Sequence, residues 1–280
     1  MFGVGNREYF VDATEASAGL LRYVPNDYVD MTLTSPPYDD MRDYKGYAFD
    51  YRPIIEQLWR VTAPGGSVVW IVQDATVDGS ETGTSFRQAL FAMDCGFNLL
   101  DTMIYCVTGT GAKGSHNAYW QCWEYMFVLT KGRPKTTNLI RDRKNSTAGN
   151  KKSGSWRRTK SGEQRKDSWT TPEYSKRTNI WTYTPGIHGH CSDEYGLKHP
   201  ATMPEDLARD HIISWSNEGD VILDPMMGGC TTGKVAILEK RKFIGFDISM
   251  HYVSEICIPR LEIGIQQREN KDGVLSLLPH

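Results

Sequence analysis

The segment from Val221 to Asp247 constrains this chain more than any other. Val221-Ile222-Leu223-Asp224 is an apolar run that ends in an acid. Pro225-Met226-Met227-Gly228-Gly229-Cys230-Thr231-Thr232 follows, and a helix is predicted from about Thr232 to Lys240. A second apolar run, Phe243-Ile244-Gly245-Phe246-Asp247, ends in another acid. Two strands joined through a helix lie parallel in one sheet, and strands buried on both faces read as unbroken apolar runs. Glycines in the first turn let the backbone approach a ligand, and the second acid can hold two ribose hydroxyls. This is half of a doubly wound nucleotide site, an arrangement common to many α/β enzymes.

The same alternation runs through the N-terminal half. Tyr51–Val61 places Ile54, Ile55, Leu58 and Trp59 on one helical stripe. Pro64-Gly65-Gly66 ends that unit, and Ser67–Val72 reads as a central parallel strand. Thr84–Asp94 reads as a helix, and Phe97–Val107 and Tyr125–Leu129 as further strands. The expectation is an α/β sheet with helices on both faces.

Ser35-Pro36-Pro37-Tyr38 follows the apolar run 28–34 and precedes Asp39-Asp40. Each proline pins φ near −65° and removes an N–H, so a strand that stops here leaves a stiff, extended backbone. Its carbonyls, the Ser35 hydroxyl and an adjacent aromatic ring suit an exocyclic amino group on a flat base. The amino protons need acceptors and the ring needs a stacking face.

Net charge is −2, but it is unevenly placed. Residues 131–177 carry 15 Lys or Arg against 4 Asp or Glu, a net of +11, so the remainder sums to −13. Trp156 and Trp169 lie within that stretch, among many Ser, Thr, Gly and Asn. Such polarisation is the electrostatic footprint expected for a polyanion. The six cysteines are Cys95, Cys106, Cys122, Cys191, Cys230 and Cys257; they form no C-x-x-C pair, and reduced thiols are expected. His188, His190, Cys191 and His199 have irregular spacing, and no metal is expected. No apolar stretch approaches 18 residues and no signal pattern opens the chain, so a cytoplasmic protein is expected.

Ser-Pro-Pro-Tyr resembles the catalytic motif of the amino-group DNA methyltransferases, which methylate cytosine N4 or adenine N6 with S-adenosylmethionine. The loop 224–232 is similar to that family's Asp-Pro-Phe-x-Gly-Ser-Gly-Thr-Thr, with Met226 in place of Phe, Gly229 in place of Ser and Cys230 in place of the last Gly. His199-Pro200-Ala201-Thr202-Met203-Pro204 resembles the His-Pro-x-x-x-Pro element that precedes this loop. The catalytic motif comes first and the cofactor loop last, which is the order of the circularly permuted β subgroup. The resemblance covers roughly residues 8–130 and 197–263 and implies a doubly wound, mostly parallel, Rossmann-like methyltransferase sheet. On that plan residues 1–130 form the catalytic half, 131–196 a basic, loop-rich target-recognition insert, and 197–280 the cofactor half.

Carried over residue by residue, the resemblance implies catalytic roles for Ser35, Pro36, Pro37 and Tyr38. It implies cofactor contacts for Asp12, His199, Pro200, Asp224, Pro225, Met226, Gly228, Thr231 and Asp247. The reading assigns the base and the DNA to Tyr38, Arg42, Trp120, Glu124, Lys151, Arg157 and Arg158. Ser35 and the Pro36 carbonyl would accept the amino protons of a flipped base, whose nitrogen then takes the methyl group directly. No cysteine follows a proline, which sets the chain apart from enzymes that methylate cytosine C5 through a thiol. Ser at the first motif position favours cytosine N4 over adenine N6. An RNA or protein-amide methyltransferase and a catalytically silent DNA-binding module are the readings of other kinds. Double-stranded DNA is the implied partner; a homodimer and a cognate restriction endonuclease are further partners that the resemblance admits.

Overall fold

A computed structural model of the chain describes residues 8–37, 49–107, 119–159, 161–184 and 191–276. In chain order its strands are β1 (Tyr9–Asp12), β2 (Val29–Thr34), β3 (Thr62–Val72), β4 (Thr76–Val77), β5 (Ser80–Glu81), β6 (Asn98–Val107) and β7 (Trp123–Thr130). They continue with β8 (Arg141–Lys144), β9 (Lys151–Arg158), β10 (Gln164–Thr170), β11 (Tyr174–Lys176), β12 (Ile180–Tyr183), β13 (Val221–Asp224) and β14 (Lys242–Phe246). Among the described residues, eight of these form one sheet in the order β1-β14-β13-β2-β3-β7-β6-β12. β1, β14, β13, β2 and β3 run parallel, and β7 is antiparallel to both of its neighbours.

The chain's two halves meet at the centre of the sheet, where Ile222 pairs with Met31 and Leu223 with Thr32. This pairing makes the motif after β2 and the loop after β13 neighbours, although 190 positions separate the strand ends in sequence. β2 and β13 are almost wholly buried, as the apolar runs require.

The helix Tyr51–Val61 starts where the Asp50 side chain accepts the Arg52 N–H at 3.1 Å, and it buries Ile54, Ile55, Leu58 and Val61. The expected break at Pro64-Gly65-Gly66 is instead a bulge inside β3. Pairing shifts from Val29–Thr62 to Met31–Ser67. Gly65 has φ +77°, and a Cβ on Gly66 would lie 2.9 Å from the Asp30 carbonyl oxygen, so the bulge needs glycine.

The chain divides into one compact unit of residues 1–138 and 179–280 and a second of Leu139–Thr178. The stretch expected to be loop-rich is largely paired within this second unit: β9 with β10, and β8 with β11, both antiparallel. Every residue of β10 is exposed, so these ribbons are held by main-chain bonds and cross-strand contacts, not by a core. Trp169 lies over Gly154, where a Cβ would be 3.3 Å from its ring. Lys166 Nζ is 6.0 Å from the centre of the Trp156 ring. No helix among the described residues is long and apolar enough to cross a membrane.

Candidate active site

In a doubly wound sheet, ligands bind outside the carboxyl ends of the parallel strands. Here that edge carries Asp12 at the end of β1, Asp247 just after β14, Asp224 at the end of β13, and Ser35 just after β2. In sheet order these residues follow one another. Ser35 is two strands from Asp247, roughly 10 Å at the usual strand spacing.

Asp224 is buried. Its Oδ1 accepts the Thr34 hydroxyl at 2.8 Å and the Met226 N–H at 3.1 Å. Burial lifts its carboxyl to about 6, against the downward pull of Thr34, the Met226 N–H and Thr232. The Thr232 hydroxyl also lies 3.2 Å from the Leu33 carbonyl oxygen. The strand carrying the Ser-Pro-Pro motif is therefore tied to the glycine loop by side chains as well as by the ladder.

Asp247 Oδ2 accepts the Gly228 N–H at 3.0 Å and its Oδ1 accepts the Ser249 N–H at 2.8 Å. Burial raises its pKa above the ordinary value, while those two N–H groups and the facing His199 pull the other way. A carboxylate so held offers acceptor lone pairs and suits hydroxyl donors. The Asp247 N–H reaches the Asp12 carbonyl oxygen at 3.3 Å, and the Thr14 hydroxyl donates to Asp12 Oδ1.

Gly228 has φ +44°, and a Cβ there would sit 3.0 Å from Cε1 and Nε2 of His199. Only glycine lets this loop lie against the histidine. His199 Nδ1 lies 2.5 Å from the Ala201 carbonyl oxygen, and its ring meets Tyr252 edge-on at 4.8 Å. Pro200 is exposed, Pro225 is buried, and Met226 packs against the core. Thr231 is buried, and its hydroxyl accepts from Arg260 at 3.1 Å.

Cys230, where the family's loop has glycine, adopts the left-handed conformation at φ +57°. That costs a non-glycine residue roughly 1–2 kcal/mol. Its side chain is fully buried and lies against Gly233, and the nearby Cys257 thiol donates to the Gly228 carbonyl at 3.3 Å.

Ser35 is half-buried, Pro36 buried and Pro37 half-buried. Tyr38 and Arg42 lie outside the described residues, as do His188 and His190. Val72 at the end of β3 pairs with Tyr125, so the start of β7, with Glu124, lies at the same sheet edge. Trp120 precedes that strand and is 64% exposed. Lys151, Arg157 and Arg158 belong to β9 in the second unit, where Lys151 and Arg158 are exposed. Sequence reasoning missed Thr34 and Thr232, and also the buried cations Lys234 and Arg260. Lys234 left a readable signal as the one charge in the helix Thr231–Leu238. Arg260, on a helix of mixed polarity, left none.

Comparison with known proteins agrees with this geometry. The chain is 46% identical over 254 residues to the orphan methyltransferase M.BamHII of Bacillus amyloliquefaciens, spanning 90% of this chain and 95% of that protein. It is 26% identical over 254 residues to the DNA adenine methyltransferase YhdJ of Escherichia coli, spanning 87% and 79%. The solved structure of the PvuII cytosine-N4-specific DNA methyltransferase shares the fold at TM-score 0.63 and 16% identity, over 94% of this chain and 95% of that one. The protein TTHA0409 of Thermus thermophilus, solved in complex with S-adenosyl-L-methionine, does so at TM-score 0.60 and 20% identity, over 92% and 94%. The sequence profile of the N6/N4 DNA methylase family matches residues 29–257, and with the permuted sheet and its two tied loops this places the chain in that family of DNA amino-methyltransferases.

Proposed function

We propose that this chain transfers a methyl group from S-adenosylmethionine to the exocyclic amino group of a flipped base in double-stranded DNA, with cytosine N4 as the preferred target. The observation that carries the proposal is the common sheet edge: Asp12, Asp247, Asp224 and Ser35 end four consecutive strands. Asp247 is a half-buried acceptor suited to ribose hydroxyls, and it is held in place by the Gly228 N–H of the glycine loop. Asp12 would face the adenine. His199, Pro200, Pro225, Met226 and Thr231 would line the methionine end, with Asp224 holding the loop in place. The bound cofactor supplies a methyl group made electrophilic by its sulfonium.

The protein's own part is to shape the amine. Its lone pair is delocalised into the base ring, so it is a poor nucleophile. The Ser35 hydroxyl oxygen and the Pro36 carbonyl would accept hydrogen bonds from the two N–H groups and draw the nitrogen toward tetrahedral geometry. As the N–C bond forms, the methyl's bond to sulfur breaks with its electron pair on sulfur, and one amino proton leaves to solvent. Pro37 keeps that backbone extended. Positioning and electrostatics supply most of the rate, and no protein nucleophile is needed. Tyr38 would stack on the flipped base and Arg42 would close over it, with Trp120 and Glu124 at the pocket wall. Lys151, Arg157 and Arg158 would meet DNA phosphates.

Adenine N6 is the second reading, favoured by the name of the relative YhdJ. A labelled-methyl assay on unmethylated genomic DNA, followed by nucleoside mass spectrometry, separates the two. N4-methylcytosine is the expected product. N6-methyladenine would keep the mechanism and change the base. Absence of any methylated nucleoside, with labelled RNA instead, would overturn the assignment to DNA.

A further inference from the structure

Arg260, near the start of the helix Ile258–Ser276, has no exposed surface. A guanidinium carries five N–H donors, and here each has an acceptor. Nε donates to Asp193 at 3.0 Å. Nη1 donates to the Gly229 carbonyl and to the Thr231 hydroxyl. Nη2 donates to Cys191 Sγ at 3.3 Å and to Glu205 at 2.7 Å. Lys234, equally buried, gives its three donors to Ser192, Asp193 and Glu205 at 2.7, 2.7 and 2.9 Å. Two cations thus face two carboxylates with all eight donors satisfied, the condition under which buried charge is tolerated. Asp193 is pushed up by burial, yet Lys234, the Gly196 N–H and Arg260 together hold it at about 2.

The placement of this network matters more than its charge. It joins three segments: the run 191–205 that contains His199-Pro200, the glycine loop at Gly229 and Thr231, and the C-terminal helix. Gly196 roofs the guanidinium, since a Cβ there would lie 3.0 Å from Arg260 Cζ. The Thr202 hydroxyl donates to the Gly196 carbonyl at 2.8 Å, which folds the histidine segment back over the loop. The carbonyl gripped by Arg260 also belongs to the peptide that leads into Cys230, the left-handed non-glycine residue of the loop. A glycine at that position would adopt this conformation without strain, whereas cysteine does not.

We propose that Arg260 is a positioning residue for the cofactor: by clamping the Gly229 carbonyl it holds the left-handed turn at Cys230, and with it the loop that faces Asp247 and His199. The inference rests on the reading that this loop binds S-adenosylmethionine. Lysine at 260 keeps the charge but has three donors where five are used, and no planar fork.

The test is calorimetric titration of the full-length protein with S-adenosylmethionine, beside steady-state kinetics on DNA. Arg260→Lys is expected to bind the cofactor about tenfold more weakly, the effect of losing one charge-assisted hydrogen bond. Its kcat at saturating cofactor should stay within about twofold of native, because the reacting groups are untouched. Adding Cys230→Gly to Arg260→Lys should restore affinity to within about threefold of native, since glycine needs no clamp. If Arg260→Lys does not fold, the charge-balanced pair Arg260→Met with Glu205→Gln removes the clamp and is read in the same way. Native binding with unaltered affinity in the variant would overturn the clamp alone, and so would a loss of affinity that Cys230→Gly does not repair. Failure of the native protein to bind the cofactor would overturn the functional reading and the clamp with it.

Discussion

Thr34 Oγ1 donates to Asp224 Oδ1 at 2.8 Å, across two residues 190 positions apart. One is the last residue of β2, immediately before Ser35; the other is the last of β13, immediately before the glycine loop. The bond sits under the site and fixes the two halves of the sheet edge to each other. Its acceptor is a buried carboxyl whose proton is held to about 6.

That carboxyl gives stability a pH dependence. Its folded pKa of about 6 lies above the ordinary value of 3.8, so ionising it in the native state costs free energy. The contribution is most favourable below pH 4, weakens as pH rises to about 6, and is level above. Integrated, it amounts to at most about 3 kcal/mol. Asp224→Asn keeps the Oδ1 acceptor and removes the titration. Urea unfolding from about pH 4 to about pH 7.5 should show the variant gaining on the native protein as pH rises. A difference that does not change with pH would refute the assignment.

If Ser35 accepts a hydrogen bond from the target amine, as proposed, Ser35→Ala removes that acceptor and leaves the loop after β13 intact. Turnover is expected to fall about 10²-fold, in the range seen when one polar group at a developing charge is lost. Calorimetric affinity for S-adenosylmethionine should be unchanged. Single-turnover methyl transfer close to native would take Ser35 out of the mechanism.

Asp247→Ala removes the carboxylate that accepts Gly228 and Ser249. Cofactor affinity should fall by roughly ten- to a hundredfold, as expected for losing hydrogen bonds to a charged group. Asp247→Asn, which keeps one acceptor oxygen, should lie between. Equal affinity in all three proteins would place the ribose elsewhere.

Lys151 and Arg158 are exposed on β9, within the basic stretch. If they meet phosphates, the double variant Lys151→Ala, Arg158→Ala should bind all DNA sequences more weakly and lower the slope of log affinity against log salt by about 2. An unchanged slope, measured by fluorescence anisotropy between about 50 and 200 mM salt, a range in which such contacts show, would make the ribbon a solvated surface.

The strands, the glycine loop and the acids at strand ends were legible in the sequence. Each is a local pattern: an apolar run of strand length, a turn that only glycine can make, an acid where the chain leaves the sheet. The circular order of the two motifs was legible too, because order is a property of the chain. The ribbons of Leu139–Thr178 were not, since β10 is exposed along its whole length and no apolar period marks them. The glycine bulge in β3 read as a break, because three extra residues in a paired strand and the end of a strand use the same residue types. The Thr34–Asp224 bond and the Lys234–Arg260 network were beyond reach for a different reason. Their partners lie tens to hundreds of positions apart, and a hydrogen bond leaves no periodicity in sequence. The sequence alone set the sheet and its loops; folding decided which carboxylates are buried, which cations answer them, and that a cysteine can stand where the turn calls for glycine.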